Sequence, residues 1–339
     1  MEVLVTGGTG YIGSHTVVEL LQAGCRVVIA DNLSRSGRGA LDGIRAITGQ
    51  EPAFHKVDCR DRAALGQVFD QHPGIGAVIH FAAFKSVGES CREPLAYYEN
   101  NIGSLVNLLQ VARGRKVRNF VFSSSCTVYG EPETVPVTEN TPLRDSSSPY
   151  GATKRMCERI LFDACRADQS LSVTALRYFN PIGAHESALL GETPDGVPQN
   201  LVPYLTETAA GLRDHLSVFG NDYNTPDGTC IRDYIHVSDL ARAHTLALRR
   251  MAAAEPAWRA YNIGTGRGTS VKELIGAFTR ATGIDIPVTY APRRAGDIER
   301  VWADPSLAER ELGWKSEHTL EDTLLSAWRW QQHITCQGK

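Results

Sequence analysis

Tyr150 and Lys154 stand four residues apart in the run "SSPYGATK" (147–154). On a helix that spacing puts a phenol and an ammonium one turn apart on the same face. A cation beside a phenol favours the phenolate, so the pair predicts a tyrosine pKa lowered toward neutrality. A tyrosine poised in this way is a general base or acid. A surface tyrosine resting on a lysine stem would show the same spacing, so the surroundings decide. Ser148 and Pro149 supply a helix start, the serine as a cap for free N–H groups and the proline at the first helical position. Upstream, "SSSCTVYG" (123–130) ends a β-rich run. Ser125 there can hydrogen-bond a reacting oxygen, although consecutive serines also form turns.

A second group of residues has the spacing of a phosphate cradle. "TGGTGYIG" (6–13) carries Gly7, Gly10 and Gly13 in G-x-x-G-x-x-G order. Such a turn brings backbone N–H groups and a helix N-terminus against a pyrophosphate. Glycines also serve ordinary tight turns, but this triplet follows a strand and opens a helix. Asp31 closes the next apolar run, 18 residues after Gly13. A carboxylate at that point accepts from both ribose hydroxyls and repels a 2′-phosphate, which favours NAD over NADP. Asn32 follows it rather than a basic residue, while Arg35 and Arg38 pull the other way. A helix cap is the structural alternative for Asp31. Asp58 suits the adenine end. In "HFAAFKSVGES" (80–90), Ala82 and Ala83 permit close backbone approach. Lys85 can reach a phosphate or a sugar hydroxyl, or else remain a solvated loop lysine.

These groups need a scaffold, and the chain spells one out. "EVLVT" (2–6), "RVVIA" (26–30), "AFHKV" (53–57), "AVIHF" (77–81), "NFVFS" (119–123) and "SVTALRYF" (172–179) read as strands. Helical patterns fall between them, among them 12–23, 95–113 and 149–166. The alternation predicts an α/β fold with a doubly wound, Rossmann-type parallel sheet whose strand C-termini form the ligand edge. The 339 residues leave room for a second unit. Residues 1–180 are expected to form the NAD-binding domain and 181–339 a smaller α/β substrate domain. Segments near 230–260 are expected to return to the first.

The chain is 42% apolar and 22% charged, with a net charge of −3. It has no basic stripe, so no nucleic-acid partner is expected, and an anionic ligand would need local arginines. None of the eight cysteines forms a C-x-x-C pair, and no Cys/His group has zinc spacing. Reduced thiols in the cytoplasm and no metal are the expectation. "MEVLVTGG" enters a strand at once, and no signal peptide or membrane-length apolar run is read, so no membrane is expected.

The glycine run, Asp31, the serine run and Tyr150-x-x-x-Lys154 occur in an order that resembles the extended short-chain dehydrogenase/reductase family. The resemblance implies a catalytic group of Ser125, Tyr150 and Lys154, with the lysine also holding the nicotinamide ribose. "LRYFNPIGAH" (176–185), "NLVPY" (200–204), "VFGNDYNTPDGTCIRDYIHVSDLA" (218–241), "YNIGTG" (261–266) and "APRRAGDIERVWADPSLAERELGW" (291–314) narrow it. They resemble the UDP-galactose 4-epimerase family, as do "HFAAFKSVGES" and "FSSSCTVYGE", from residue 1 to about residue 330. For NAD the resemblance adds Tyr11, Ile12, Ser36 and Cys59, then Phe81, Asn100 and Ser123, with Tyr178 near the nicotinamide. For UDP it implies Asn180, Asn200, Leu201, Arg232, Arg294 and Asp297, with Phe219 on the uracil and Phe179 beside the sugar. The two arginines supply planar donors for a diphosphate, and Asp297 an acceptor for ribose. Either arginine could instead belong to a surface ion pair.

The family often carries a tyrosine four residues beyond the aspartate of the "GD" pair, where this chain has Val301. The smaller side chain implies room for a 2-acetamido group, and so added activity on UDP-N-acetylhexosamines. Cys126 and Arg35 also replace smaller or uncharged residues of some relatives. The resemblance implies reversible 4-epimerisation of UDP-glucose and UDP-galactose, with tightly held NAD, by a homodimer. Helices 95–113 and 149–166 would form the dimer contact. Leu105, Val106, Leu108, Leu109, Ile160, Leu161 and Phe162 extend their apolar surface beyond one face. A 4-epimerase for UDP-pentoses or UDP-uronates is an alternative. A 4,6-dehydratase is another, but it carries an Asp-Glu pair where Cys126 and Thr127 follow Ser125. An NAD-binding redox sensor would be expected to lose the tyrosine or the lysine, and this chain keeps both.

Overall fold

The computed structural model describes residues 1–194, 196–294 and 296–337. Chain order begins with β1 (Glu2–Thr6), α1 (Tyr11–Gln22), β2 (Arg26–Asp31), α2 (Gly39–Thr48), β3 (Ala53–Lys56), α3 (Arg62–Gln71) and β4 (Ile75–His80). It continues through α4 (Val87–Arg92), α5 (Pro94–Gly114), β5 (Asn119–Ser125), α6 (Pro149–Ala167) and β6 (Ser172–Tyr178). The strand limits differ from the sequence reading by at most two residues: β4 starts at Ile75, and β5 runs on to Ser125. The remaining elements are β7 (Asn180–Ile182), α7 (Leu201–Ala209), β8 (Leu216–Phe219), β9 (Ile231–Arg232), β10 (Tyr234–His236), α8 (Val237–Ala252) and β11 (Trp258–Ile263). After these come β12 (Thr269–Ser270), α9 (Val271–Thr282), β13 (Val288–Ala291), β14 (Arg300–Val301), α10 (Ser306–Leu312) and α11 (Leu320–Gln337).

The main sheet has the order β11-β6-β5-β4-β1-β2-β3. Every pairing in it is parallel. The order reverses between β1 and β4, which opens a crevice at their C-terminal ends. Side-chain alternation explains why both faces are covered. Val3, Val5, Val27, Ile29 and Val121 pack on one side with residues of α1, α2 and α8. Leu4, Val28, Val78, Phe120 and Phe122 pack on the other with α3, α5 and α6. Each fully buried aliphatic contributes about 1.5–3 kcal/mol. This is the doubly wound, Rossmann-type sheet that the strand–helix alternation predicts.

The helix that carries Tyr150 begins as its sequence dictates. Ser148 is the N-cap of α6 and accepts from the Gly151 N–H at 3.3 Å, with Pro149 in the first turn. Beyond the main sheet, β8 pairs with β13, β7 with β10, and β9 with β12 and β14. Residues of α7, α9 and α11 gather around Leu205, Leu274, Phe278 and Leu324 as a second, smaller core. β11 lies beside β6 in the main sheet. Among the described residues no helix is long and apolar enough to cross a membrane. The cysteines are free thiols.

Candidate functional site

The glycine turn is steric in origin. Gly7 has φ +72°, and a Cβ there would lie 2.7 Å from the Ala82 backbone nitrogen. A Cβ on Gly13 would lie 2.2 Å from the Gly7 carbonyl oxygen. β1, the exit of β4 and α1 therefore meet backbone to backbone. Gly10 is the N-cap of α1 and offers no side-chain cap, so the first N–H groups, from Tyr11 and Ile12 onward, are left for an anion.

Asp31 closes β2 and is 8% exposed. It accepts from the Thr9 N–H at 3.2 Å, the Leu33 N–H at 2.9 Å and the Ser36 hydroxyl at 3.2 Å. It caps no helix, since α2 starts only at Gly39. Its bonds tie the end of β2 to the glycine turn. The two arginines that argued for NADP are engaged elsewhere. Arg35 pairs with Glu89 at 2.6 Å and lies 4.9 Å from the Phe84 ring. Arg38 lies 5.5 Å from the Phe54 ring. Asn32 donates to Asp58 at 3.1 Å. Hydrogen bonds from Arg60 hold Asp58 at about 2. Cys59 is buried, and burial pushes its thiol up to about 12. An uncapped helix start, glycines where no Cβ fits and a fixed carboxylate at the strand end together suit a dinucleotide.

The opposite wall leaves β4 through Phe81, Ala82 and Ala83. The Phe81 ring sits 4.7 Å from His244 of α8. Asn100 is buried and donates to the Asn101 side chain at 3.0 Å. Asn101, which the sequence reading missed, accepts from the Phe84 N–H at 2.8 Å. It also donates to the Phe84 carbonyl and the Thr153 hydroxyl, both at 3.0 Å. It thereby staples the Phe84 loop to α6.

The three expected catalytic groups meet at the end of β5. Ser125 is its last residue, and Tyr150 lies in the first turn of α6. Lys154 is 4% exposed; its Nζ donates to the Ser123 carbonyl at 2.6 Å and lies 5.9 Å from the Tyr150 ring centre. Burial pushes the Tyr150 phenol up to about 12, opposed by its hydrogen bond with Ser125. Burial also lowers Lys154 to about 8. The expected lowering of the tyrosine toward neutrality is therefore corrected. Desolvation outweighs the cation, whose donor is turned to Ser123, and Ser125 is the group that favours the phenolate. Tyr178 is buried beside them and shares a hydrogen bond with the Ser123 hydroxyl. Burial raises its pKa far above the ordinary value. Below them, burial and the Lys154 charge hold His80 at about 3, so it is neutral.

The residues expected to hold UDP lie on the smaller sheets and their loops. Phe219 ends β8 with 38% of its surface exposed, and the Arg294 guanidinium is 5.1 Å from its ring. Arg294 donates to Asp297 at 3.1 and 3.2 Å. Arg232 donates to the carbonyls of Ile298 at 2.7 Å and Ile231 at 2.8 Å, which orient its fork. Asn180 opens β7, and its N–H donates to the Asp233 carbonyl at 2.9 Å. Asn200 is the N-cap of α7, which Leu201 begins, and that end has no side-chain cap. Asn200 and Lys85 both donate to one oxygen of Glu192, each at 2.8 Å. Lys85, its side chain still 60% exposed, thus ties the loop after β4 to the segment before α7. Glu192 itself carried no local signal. Phe179 and Val301 are buried with Val128, Tyr129, Val137 and Ala303. Val301 is 2% exposed and packed within that cluster. Cys126 packs against the same cluster, and burial pushes its thiol up to about 12.

A half-buried phenol beside a buried serine hydroxyl and a buried ammonium, next to a dinucleotide cradle, suits moving a proton at a carbon–oxygen bond while the dinucleotide takes or gives a hydride. The fold and the site thus define a Rossmann-type, dinucleotide-dependent enzyme acting on an alcohol carbon. The chain belongs to the NAD dependent epimerase/dehydratase family, whose pattern matches residues 3–264. It is 51% identical over 329 residues to the UDP-glucose 4-epimerase of Dictyostelium discoideum, covering 97% of this chain and 95% of that one. The UDP-glucose 4-epimerase of Stenotrophomonas maltophila, solved with bound NAD and formylated UDP-arabinopyranose, superposes with a TM-score of 0.96 at 48% identity, covering 99% of both chains. The enzyme of Bifidobacterium longum, in complex with NAD+ and UDP, gives a TM-score of 0.96 at 46% identity, again over 99% of both.

Proposed function

We propose that the protein interconverts UDP-glucose and UDP-galactose by reversible oxidation at C4 of the hexose, with NAD held in the crevice between β1 and β4. The observation that carries this reading is similarity along 97% of the chain to a UDP-glucose 4-epimerase, in a chain that keeps buried Ser125 and Lys154 together with a half-buried Tyr150 at the end of β5. Bound NAD supplies the hydride acceptor and donor at C4. Tyr150 takes the proton of the 4-hydroxyl and later returns it, and Ser125 hydrogen-bonds the same oxygen. Lys154, its ammonium turned to the Ser123 carbonyl, holds the nicotinamide ribose, while Ser125 favours the phenolate. The glycine turn receives the pyrophosphate, and Asp31 receives the adenosine ribose.

Phe219, Arg232, Arg294, Asp297 and the uncapped start of α7, with Asn180 and Asn200, anchor UDP. Inverting C4 requires the oxidised sugar to show its other face. A firmly held nucleotide with a loosely held hexose meets that requirement. Residues 1–180 carry the NAD crevice in this reading, and 181–339 carry most of the UDP-sugar surface. The protein acts as a cytoplasmic homodimer. Leu95 and Met156 are 81% and 45% exposed, and Tyr98, Ile102, Val106 and Leu109 continue an apolar stripe along α5. Two copies of α5 and α6 would cover it. Val301 favours one addition, slower epimerisation of UDP-N-acetylglucosamine.

The test is turnover of UDP-galactose by wild type and Tyr150→Phe, with UDP affinity measured alongside. The variant should lose about 10²–10⁴-fold in kcat, the usual contribution of a general base, and keep its affinity for UDP. Wild-type turnover in Tyr150→Phe would overturn the assignment.

A further inference from the structure

The catalytic serine lies on one element and the catalytic tyrosine on another, so something must fix β5 against α6. Main-chain bonding cannot do so, because a helix and a strand share none. Lys154 bonds the Ser123 carbonyl, and one carboxylate supplies a second link that reaches two strands. Glu158 sits on α6, one turn beyond Lys154 and about 12 Å along the axis from Tyr150. It is 2% exposed. Its Oε1 accepts from the Ser124 hydroxyl at 2.5 Å and from Arg177 Nε at 2.9 Å. Its Oε2 accepts from the other end of the same guanidinium at 2.7 Å.

Ser124 and Arg177 are opposite each other in the β5–β6 register. The carboxylate therefore grips two neighbouring strands at one point. Ser124 follows Phe120 and Phe122 on the side of the sheet that α6 covers. Ser123 and Ser125, by alternation, face the other side, where Ser123 meets Tyr178. α6 thus lies across one face and overhangs the strand end, which is how Tyr150 reaches Ser125. Arg177 extends the grip past the serine. It donates to the Tyr129 hydroxyl at 3.1 Å and to the Glu139 carbonyl at 3.3 Å. Tyr129 closes the single 3-10 turn that begins right after Ser125. Tyr129 in turn donates to Asn262 of β11 at 2.6 Å. Ser125 is therefore clamped on both sides, through Ser124 and through Tyr129.

Burial works against the Arg177 charge, but the Glu158 carboxylate outweighs it and holds the pKa above the ordinary value. Such a pair, buried on both partners, is a poor source of stability compared with well-packed apolar side chains. Its geometry instead matches a demand for exact register. We infer that Glu158 and Arg177 are the positioning pair of the active site, setting the distance between the Ser125 hydroxyl and the Tyr150 phenol. The inference rests on the reading of these two residues as the reacting pair.

Two variants test it. Ser124→Ala cuts the strand from the carboxylate but leaves the ion pair whole. Glu158→Met/Arg177→Met removes the pair and leaves no unpartnered charge. Each is compared with wild type for folding, kcat and KM for UDP-galactose, and UDP affinity by calorimetry. Misplacing reacting groups by a fraction of an ångström to one ångström costs between about 10- and 100-fold in rate. The expected result is that loss in kcat for both variants, with KM and UDP affinity within about twofold of wild type. A merely structural pair would leave the folded double variant at wild-type kcat. If the double variant does not fold, Ser124→Ala decides alone, and wild-type kcat in that protein overturns the inference. An inactive wild type would defeat the functional reading and this inference together. An active wild type with equally active variants would defeat this inference alone.

Discussion

Lys154 should be a liability to the fold that catalysis retains. Its ammonium is 4% exposed, and its partners are one carbonyl at 2.6 Å and the ring of Phe122 at 5.0 Å. Burial brings its pKa from 10.5 down to about 8. That difference corresponds to about 3 kcal/mol by which the folded state disfavours the charged form. The sign follows from proton counts. Between pH 8 and 10.5 the unfolded chain binds the proton and the folded chain does not, so stability rises with pH. Below pH 8 both bind it, and the full penalty is present. Lys154→Met removes the penalty and loses the bond to the Ser123 carbonyl, a loss of about 1 kcal/mol. The variant should therefore be more stable than wild type by about 2 kcal/mol at pH 7. The advantage should shrink above pH 8 and be gone near pH 10. Urea unfolding of both proteins at pH 7, 8.5 and 10, after removal of the dinucleotide, measures this, because bound ligand adds its own stabilisation. Activity should be lost in the same variant. A variant less stable at pH 7, or a difference that ignores pH, would refute the reasoning.

Wild type should release NAD rather than NADP on denaturation, whereas Gly13→Ala, whose Cβ would meet the Gly7 carbonyl at 2.2 Å, should purify without it. A full complement of dinucleotide in Gly13→Ala would contradict the backbone contact. Val301→Tyr should keep UDP-galactose turnover and lose the reaction on UDP-N-acetylglucosamine; equal N-acetyl activity in both proteins would show that Val301 is not the gate. Light scattering at micromolar concentration should give the mass of two chains, and Leu95→Glu/Val106→Glu should give one. A monomeric wild type would remove the reason for the exposed α5 stripe.

Local chemistry was legible wherever one element decided it. The β-rich apolar runs "EVLVT" and "RVVIA" gave β1 and β2, and "SSPYGATK" gave the start of α6 together with its cap. The glycine spacing gave the tight turn because the Gly13–Gly7 contact lies within the turn itself, whereas the contact of Gly7 with Ala82 comes from the exit of β4. What failed was anything that depends on depth or on distant register. Spacing placed Lys154 near Tyr150, but it could not show how far water is excluded around the phenol, and that desolvation moves its pKa up rather than down. The links made by Glu158, Arg177, Asn101 and Glu192 join residues that lie far apart in sequence. No local pattern announces them. Arg35 shows the same limit: as a residue near Asp31 it argued for NADP, and only its pairing with Glu89 removes that argument.

The most direct test of the central claim uses UDP-galactose carrying deuterium at C4, incubated with the purified protein and no added cofactor. Product analysis by mass and by proton resonance should show UDP-glucose with the deuterium still at C4, because the hydrogen removed from that carbon is the one returned. UDP-glucose with the label lost to water, or no UDP-glucose at all, would contradict the account.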